Sequence, residues 1–369
     1  MKSILFIDTG IEYGGGTKSL LYLLDELNKK NEYKITVFFE NNYDTKEGKI
    51  LDVIKNRNID ILYCEKNKFK MSKFKREICR IFCKRLIKQE KYKNDLKFAN
   101  DLLSKNKFDF IHLNNHFSTN LAYIQAANNL NIKVIQHLRK NAPLDKTEIN
   151  ILKNLKFKAI SVSNSTYKFY SKYLKFENKV IYDPVCIKEG IESRKNDNEI
   201  SIIMPANFLE LKGHDLVFDA MLNLKRDDLK LYIAGSGEFK KQTKEKLEKL
   251  IEKNLVINLG FVKNMDEIYP KFDYLLGFSE NEGLPRVVIE ALGYGLGVIF
   301  SNIDVMGELY EISSKKEDFH IINRTAKDLF VFLSKLKKSK SHKRDIAIIN
   351  TFKLENYIES ILSFYKDCE

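Results

Sequence analysis

Short apolar runs alternate with amphipathic helical patterns along the first half of this chain. A run of four to eight apolar residues predicts a buried strand, and apolar residues every three or four positions predict a helix. The predicted strands are Ile4–Asp8, Lys34–Phe39, Asp60–Tyr63, Phe108–Leu113, Lys133–Gln136, Ala159–Val162 and Val180–Tyr182. Helical patterns lie between them, for example at Lys18–Leu27 and Leu121–Asn129. This alternation predicts a parallel sheet that is covered on both faces.

The alternation of predicted strands and helices is interrupted by a polar stretch at residues 187–199 and then resumes. The strands predicted after the stop are Ile200–Met204, Lys230–Ala234, Leu255–Leu259, Tyr274–Phe278 and Gly297–Ser301. The helices predicted after it are Gly213–Leu222, Phe239–Glu252, Pro285–Tyr294 and Ala326–Leu336. We therefore expect an α/β protein with two Rossmann-like domains, and the length of 369 residues suits two domains.

The predicted parts are an N-terminal domain at 1–186, a linker at 187–199, a C-terminal domain at 200–350 and a terminal helix at 351–369. The terminal helix is predicted because Ile358, Ile361, Leu362 and Phe364 recur at helical spacing. Its apolar stripe predicts that it docks on another part of the chain.

The net charge of +13 is concentrated in one stretch. Residues 66–93 hold twelve Lys and Arg against Glu77 and Glu90. Within this stretch, residues 71–90 place apolar side chains along one stripe of a helix and basic side chains elsewhere. Such a helix suits an anionic membrane surface, or it covers the first sheet with a solvated basic face. The concentration of charge favours the membrane, and no nucleic-acid motif accompanies it.

The cysteines and the N-terminus bear on location. The five cysteines are irregularly spaced, which predicts no disulfide framework and a reducing compartment. Cys79 and Cys83 are one helical turn apart without a third ligand nearby, so no zinc site is expected. The apolar run Ile4–Ile7 is too short for a signal peptide, and no segment approaches the ~18 apolar residues of a membrane span. We expect a cytoplasmic protein that is at most peripheral on the inner face of the cell membrane.

The stretch Ser279–Glu290 is the strongest candidate for chemistry. It joins a predicted strand to a predicted helix, and ligands of open α/β sheets bind at such junctions, against helix N-termini. Gly283 allows close approach of the backbone, and Pro285 fits the first turn of a helix. Glu282 and Glu290 bracket the turn with seven residues between them.

Other predicted strands are also followed by possible ligand groups. Gly14–Gly16 would face backbone N–H groups toward an anion, but Thr17 separates the glycines from Lys18 and the P-loop pattern fails, so a plain tight turn is an equal alternative. Gly235–Gly237 form a further flexible turn. Lys212 would stand at a helix N-terminus, where a cation is out of place unless an anion lies there.

Histidines and an arginine follow two strands of the first half: His112, His116, His137 and Arg139. A lone histidine is more often structural than functional. His116 lies past the end of its strand among polar residues, which makes it a better candidate than His112 for facing a ligand.

These motifs together resemble a retaining glycosyltransferase of the GT-B fold, in family 4, over nearly the whole chain. The matching segments are Glu282-x7-Glu290 with Gly283-Leu284-Pro285 between, Asp273, Ser279, Glu308, Lys212-Gly213-His214, Gly235-Ser236-Gly237, Gly260-Phe261 and Gly14-Gly15-Gly16. The resemblance implies two Rossmann-like domains whose parallel sheets face a central cleft, with the C-terminal helix packing back on the N-terminal domain.

The resemblance also implies a UDP- or GDP-sugar donor, and neither metal nor cofactor. The implied donor-binding residues are Gly15, Gly16, Asn207, Lys212, Gly235, Phe261, Glu282, Gly283, Leu284, Pro285 and Glu290. Among these, Glu290 would bind the ribose, Glu282 the sugar hydroxyls and Lys212 the leaving diphosphate. Glu282, Lys212 and His116 are the implied catalytic residues.

This chain departs from the family pattern in two places. Ala206-Asn207 stands where the family usually has Gly-Arg, so one phosphate-binding cation is missing. We hypothesise that Arg286 or Arg139 replaces it, and His137 is a further candidate near the acceptor or phosphate. The family's His-x-His is His112-Leu113-Asn114 here, and His116 would stand in for the second histidine.

The expected function is transfer of a sugar to a glycan or lipid-linked acceptor in bacterial surface polysaccharide biosynthesis, such as capsule, O-antigen or exopolysaccharide. A non-catalytic partner subunit that binds a sugar nucleotide is an alternative, which Asn207 keeps open. A sugar-nucleotide epimerase is disfavoured by the arrangement of Glu282 and Glu290. The sequence does not reveal the sugar, the base, the acceptor or the oligomeric state.

Overall fold

The computed structural model describes residues 1–64, 84–189, 199–339 and 343–368. The chain divides into two compact units. The first unit is Met1–Tyr182 together with Ile358–Glu369, and the second is Asp183–Tyr357. Most of the predicted linker at 187–199 lies outside the described residues.

The first unit contains a seven-stranded parallel sheet in the order β5-β2-β1-β6-β7-β8-β9. Its strands, with a short antiparallel pair β3-β4, are β1 (Lys2–Asp8), β2 (Tyr33–Phe39), β3 (Asp44–Thr45), β4 (Gly48–Lys49), β5 (Asp60–Ile61), β6 (Phe110–Leu113), β7 (Lys133–Leu138), β8 (Lys158–Ser161) and β9 (Glu177–Val180). Its helices before the linker are α1 (Gly15–Lys30), α2 (Ile50–Lys55), α3 (Lys84–Ser104), α4 (Phe117–Asn129), α5 (Lys146–Leu152) and α6 (Asn164–Ser171).

The second unit contains a six-stranded parallel sheet in the order β12-β11-β10-β13-β14-β15. Its strands are β10 (Ile200–Pro205), β11 (Leu229–Ala234), β12 (Val256–Gly260), β13 (Tyr274–Gly277), β14 (Gly297–Ser301) and β15 (Phe319–Ile322). The remaining helices are α7 (His214–Leu222), α8 (Lys241–Glu252), α9 (Arg286–Gly293), α10 (Asp304–Ile312), α11 (Ala326–Lys335), α12 (Ile346–Thr351) and α13 (Leu354–Cys368). Short 3₁₀ helices occur at Glu210–Lys212, Met265–Glu267, Tyr269–Lys271 and Lys316–Asp318.

The predicted fold class is confirmed, since both sheets are parallel and helices or 3₁₀ helices connect the successive strands of each sheet. Burial explains why the strands read as continuous apolar runs. Every residue of β14 is buried, as it must be in a central strand covered on both faces. The helices cover the sheets with one apolar side, as α1 does with Leu20, Leu23, Leu24 and Leu27.

The C-terminal helix α13 ends in the first unit. There the Tyr365 ring packs edge-on against Tyr33 and Phe110, with centroids 5.9 and 5.1 Å away. Tyr365 and Ile361 are fully buried. The predicted packing of this helix on the N-terminal domain is therefore confirmed.

Much of the predicted basic helix at 71–90 lies outside the described residues, as do Cys79 and Cys83. The described part of helix α3 covers Lys84–Ser104 and so extends well past the predicted end at residue 90. Among the described helices, none combines the length and apolar composition that crossing a membrane requires.

Candidate active site

The turns at the carboxyl ends of β10, β11 and β12 are joined by backbone hydrogen bonds. The Phe208 N–H donates to the Ser236 carbonyl at 2.8 Å, and the Gly235 N–H donates to the Gly260 carbonyl at 2.9 Å. A Cβ at Gly235 would lie only 2.1 Å from the Ala206 carbonyl oxygen, so a larger residue would separate these turns. The three turns therefore form one rigid surface, the ledge, at the carboxyl ends of these strands.

Lys212 ends the 3₁₀ helix that precedes α7, and Gly213 turns the chain into α7. Gly213 has φ of 77°, a conformation that favours glycine, and a Cβ there would lie 2.3 Å from the Phe278 carbonyl oxygen. This close approach places Lys212 beside the turn that follows β13. The Lys212 Nζ donates to Glu282 Oε1 at 2.5 Å, and the two side chains are 24% and 19% exposed.

The turn after β13 is fixed from both sides. The Glu280 N–H donates to the Leu211 carbonyl at 2.8 Å, and the Ser301 hydroxyl donates to the Ser279 carbonyl at 2.6 Å. Gly283 and Pro285 are buried, and Leu284 is half-buried. Helix α9 begins at Arg286, with Pro285 in the cap position.

Glu290, on α9, is held by a tyrosine that sequence reasoning missed. The Tyr269 hydroxyl donates to Glu290 Oε2 at 2.9 Å. Tyr269 is fully buried and stacks on Tyr294 with centroids 5.8 Å apart. Burial, and then the Glu290 carboxylate, raise the pKa of Tyr269 well above its usual value, so it remains a donor. The only sequence signal was an aromatic residue in the Tyr269-Pro270 turn before β13.

These groups can bind an anion and hydroxyls together. An ammonium has three N–H donors, and the contact with Glu282 uses one of those on Lys212. The others are available to anionic oxygens at the N-terminal end of α7, where helix dipoles favour negative charge. The Glu282 and Glu290 carboxylates are acceptors for hydroxyl groups.

The first unit has its own polar cluster at the carboxyl ends of β1, β6 and β7. Asp8 is buried; its Oδ1 accepts from the Gly10 N–H at 2.7 Å and its Oδ2 from Asn114 Nδ2 at 2.5 Å. Burial raises the pKa of Asp8, although these hydrogen bonds oppose the shift. Arg139 Nε donates to the other end of the Asn114 amide, Oδ1, at 2.5 Å.

Arg139 and the glycine-rich turn at Gly14–Gly16 lie in contact in the structure, although the sequence indicated them as separate candidates. A Cβ at Gly16 would lie 2.9 Å from Arg139 Cδ, so the arginine stem packs directly on the turn at the start of α1. Gly15 is exposed and Gly16 half-buried. Arg139 is half-buried, and its Nη2 lies 3.2 Å from His137 Nδ1.

The histidines of this cluster are held in neutral form. His112 and His137 are fully buried, and burial followed by the charge of Arg139 lowers both pKa values, that of His112 to about 3. His137 therefore contacts Arg139 rather than solvent. His116 is half-buried and caps the N-terminus of α4 through its backbone. Burial lowers its pKa to about 4, with a smaller effect from Lys140.

The remaining predicted residues lie in the second unit. Asn207 is half-buried and accepts from the Ser236 hydroxyl at 3.2 Å. Phe261 is 66% exposed beyond β12. Arg286 is half-buried at the first residue of α9. The roles of all these residues stay predictions.

Comparison with known proteins connects this geometry to a class of enzymes. Residues 188–353 match the family described as Glycosyl transferases group 1. The crystal structure of Anabaena Alr3699/HepE in complex with UDP and glucose is similar, with a TM-score of 0.72 and 14% identity over 100% of both chains.

Two curated relatives are similar in sequence. An α-1,4-N-acetyl-D-galactosaminyltransferase of Campylobacter jejuni, named for a diNAcBac-PP-undecaprenol-linked glycan, is 24% identical over 302 residues, 79% of this chain and 77% of that protein. The GtfA subunit of a UDP-N-acetylglucosamine–peptide N-acetylglucosaminyltransferase of Streptococcus parasanguinis is 21% identical over 211 residues, 54% of this chain. The match spans only 42% of the GtfA subunit's own length.

The chain thus has the fold of solved glycosyltransferase structures of the GT-B type. The ledge, Lys212, Glu282 and Glu290 all lie within residues 188–353, the part that matches the glycosyl transferases group 1.

Proposed function

We propose that this protein transfers a sugar, with retention, from a UDP- or GDP-sugar to a glycan or lipid-linked acceptor in bacterial surface polysaccharide biosynthesis. The observation that carries the proposal is the Lys212–Glu282 pair beside the Gly283–Pro285 turn, on the same sheet edge as the ledge. The relatives support it, because one is named for an undecaprenol-linked glycan and the other for UDP-N-acetylglucosamine.

The chemistry follows from where charge develops. When the bond between sugar and diphosphate breaks, negative charge accumulates on the leaving phosphate, and fixed donors directed there lower the barrier. Lys212 and the backbone N–H groups of Gly283 and Leu284 are those donors in the proposed site, since Pro285 has no N–H. Glu282 would hold the sugar hydroxyls and Glu290 the ribose. The leaving phosphate would accept the proton of the attacking hydroxyl on the same face of the sugar.

A second cation is expected because one donor at the leaving group is worth about 2.7–4 kcal/mol. Asn207 occupies the position where the family usually has arginine. We propose Arg286, at the start of α9, as its replacement in the second unit, with Arg139 as the alternative in the first. If Arg286→Ala and Arg139→Ala both left turnover unchanged, neither arginine would fill this role.

We also propose that the reaction needs neither metal nor cofactor. Within the part of the chain that the structure describes, no group of three His, Cys, Asp or Glu side chains is placed to hold a metal ion. Turnover that survives EDTA unchanged is the expected result, and loss of turnover that Mg²⁺ or Mn²⁺ restores would overturn this part of the proposal.

A non-catalytic, nucleotide-sugar-binding subunit is the second candidate, and Asn207 is the observation that favours it. A panel of UDP- and GDP-sugars, each assayed for release of nucleotide with a polyprenyl-diphosphate-linked glycan as acceptor, separates the two. We expect one donor to be consumed by the native chain and not by Glu282→Ala. Binding of a nucleotide sugar without release from any donor would favour the subunit.

A further inference from the structure

Buried polar side chains connect the C-terminal helix to the glycine-rich turn of the first unit. The Tyr365 hydroxyl lies 2.6 Å from His112 Nδ1. His112 Nε2 lies 3.2 Å from His137 Nδ1, and Arg139 Nη2 lies 3.2 Å from the same nitrogen. Arg139 Nε donates to Asn114 Oδ1 at 2.5 Å. The four contacts cross from α13 through β6 and β7 to the residue that packs on Gly16.

The chemistry of these groups fixes the direction of the hydrogen bonds. A guanidinium only donates, so His137 Nδ1 accepts and the ring carries its proton on Nε2. His112 Nε2 faces that same acceptor and must therefore donate to it. A neutral imidazole has one N–H, so His112 Nδ1 is an acceptor. The Tyr365 hydroxyl must then be the donor to His112.

The neutral state of the two rings belongs to this arrangement. Both histidines are fully buried beside the Arg139 charge, and a second cation there would be repelled. A protonated His137 would direct an N–H at the guanidinium. The arginine therefore lies between the neutral His137 ring, which His112 contacts in turn, and the Asn114 amide.

We propose that Tyr365 is a positioning residue: its hydroxyl donates to the acceptor nitrogen Nδ1 of His112, and so stabilises the arrangement of His112 and His137 that holds the Arg139 guanidinium at the glycine-rich turn for an anionic group of the substrate. The role of the substrate rests on the proposed function, whereas the tautomers do not. The C-terminal helix would thus contribute to substrate binding in the first unit through a residue that touches no substrate.

The first test is the protonation of the rings. Selective ¹⁵N labelling of the six histidines, with His112→Gln and His137→Gln to assign the signals, reports the tautomer of each ring. We expect both rings to be protonated at Nε2 in the native protein. Tyr365→Phe keeps the ring contacts with Tyr33 and Phe110 and removes the donor to His112 Nδ1, so we expect the His112 Nδ1 signal to shift toward that of an imidazole nitrogen that accepts no hydrogen bond. A native His112 protonated at Nδ1, or an unchanged His112 Nδ1 signal in the variant, would overturn the proposal.

The second test asks whether Tyr365 acts through Arg139. We expect Tyr365→Phe to raise the acceptor KM about tenfold with a smaller change in kcat, and to have no further effect in an Arg139→Ala background. Equal effects in both backgrounds would show a merely structural role and contradict the proposal. Tyr357→Phe, on the same helix and equally buried, is the control and should change neither constant.

The two tests separate the inference from the proposed function. A chain that consumes no donor would contradict the proposed transfer, while the tautomers would still decide whether the line of hydrogen bonds exists. A chain that transfers sugar but shows the wrong His112 tautomer would retain its function and lose the inference.

Discussion

Lys212 and Glu282 are the residues on which the proposed chemistry depends most. Their charge-assisted contact of 2.5 Å holds an ammonium at the start of α7 without using all of its donors. The sequence indicated both residues, through the cation at a helix N-terminus and the Glu-x7-Glu spacing. Their direct pairing could not be predicted, because it depends on how closely the Gly213 turn approaches the end of β13.

Lys212→Ala is expected to lower kcat by about 10²–10³-fold, since it removes one donor from the leaving phosphate. Steady-state release of nucleotide measures this. Lys240→Ala is the matched control, because Lys240 makes a similar contact of 2.6 Å with Glu210 but on the exposed surface. A loss of similar size in both variants would show that Lys212 acts only through general charge.

His214 predicts a dependence of stability on pH. Its ring is buried among Phe208, Phe218 and Phe239, and neither ring nitrogen has a hydrogen-bond partner among the described residues. Burial, with a smaller effect from Lys212, lowers its pKa to about 4. His214 therefore becomes protonated near pH 6.5 in the unfolded chain but only near pH 4 in the folded chain.

Stability is consequently complete above pH 6.5 and falls as the pH decreases toward 4, with a slope of about 1.4 kcal/mol per pH unit from this histidine alone. His214→Phe should remove that part of the slope. Urea unfolding at several pH values between 7 and 4.5 measures it for both proteins. Parallel curves for His214→Phe and the native chain would refute the explanation.

Among the elements, the strands that lie inside the sheets were predicted well, as were the edge strands β5 and β12, whereas the other two edge strands were not. β14 was predicted with its observed bounds. All five of its residues are buried, and a strand of this kind appears in the sequence as a short continuous apolar run. β15 was missed, since it is a four-residue edge strand directly after a charged 3₁₀ turn and only Phe319 in it is buried. β9 begins three residues before the predicted Val180–Tyr182, again at an edge.

Several helices were missed for a related reason. α5 starts with a capping box. The Asp145 side chain accepts from the Thr147 and Glu148 N–H groups, and the Asp145 N–H donates to the Glu148 carboxylate. Its seven residues carry too few apolar positions to show a period. Contacts between elements that are distant in sequence, such as Tyr269 with Glu290, could not be predicted either, because they depend on how those elements pack.

The turn from the 3₁₀ helix into α7 predicts a stability effect at Gly213. Gly213→Ala combines a positive φ with a clash against the Phe278 carbonyl, and we expect a loss of about 3 kcal/mol or more. Gly260→Ala is the matched control, because it has a φ of 62° but nothing within 4 Å of the added Cβ, and should lose only about 1 kcal/mol. Chemical unfolding measures both, and equal losses would show that the close approach to β13 is not rigid.

For the molecule as a whole, we propose a cytoplasmic protein that binds the inner face of the membrane through residues 71–90. The charge of the stretch at 66–93 supports the proposal, although residues 65–83 lie outside the described part of the chain. In a flotation gradient, we expect the protein to rise with vesicles that contain anionic lipid and to stay at the bottom when the vesicles are neutral. An equal fraction of floating protein with both kinds of vesicle would contradict the proposed membrane binding.

The central claim is that this protein, in the proposed glycosyl transfer, binds the donor through two carboxylates of the second unit, each with its own role. The most direct measurement is the rate of nucleotide release against donor concentration for the native chain, Glu282→Ala and Glu290→Ala. The account predicts a lower kcat for Glu282→Ala and a higher donor KM with nearly native kcat for Glu290→Ala. Native constants in both variants would contradict it.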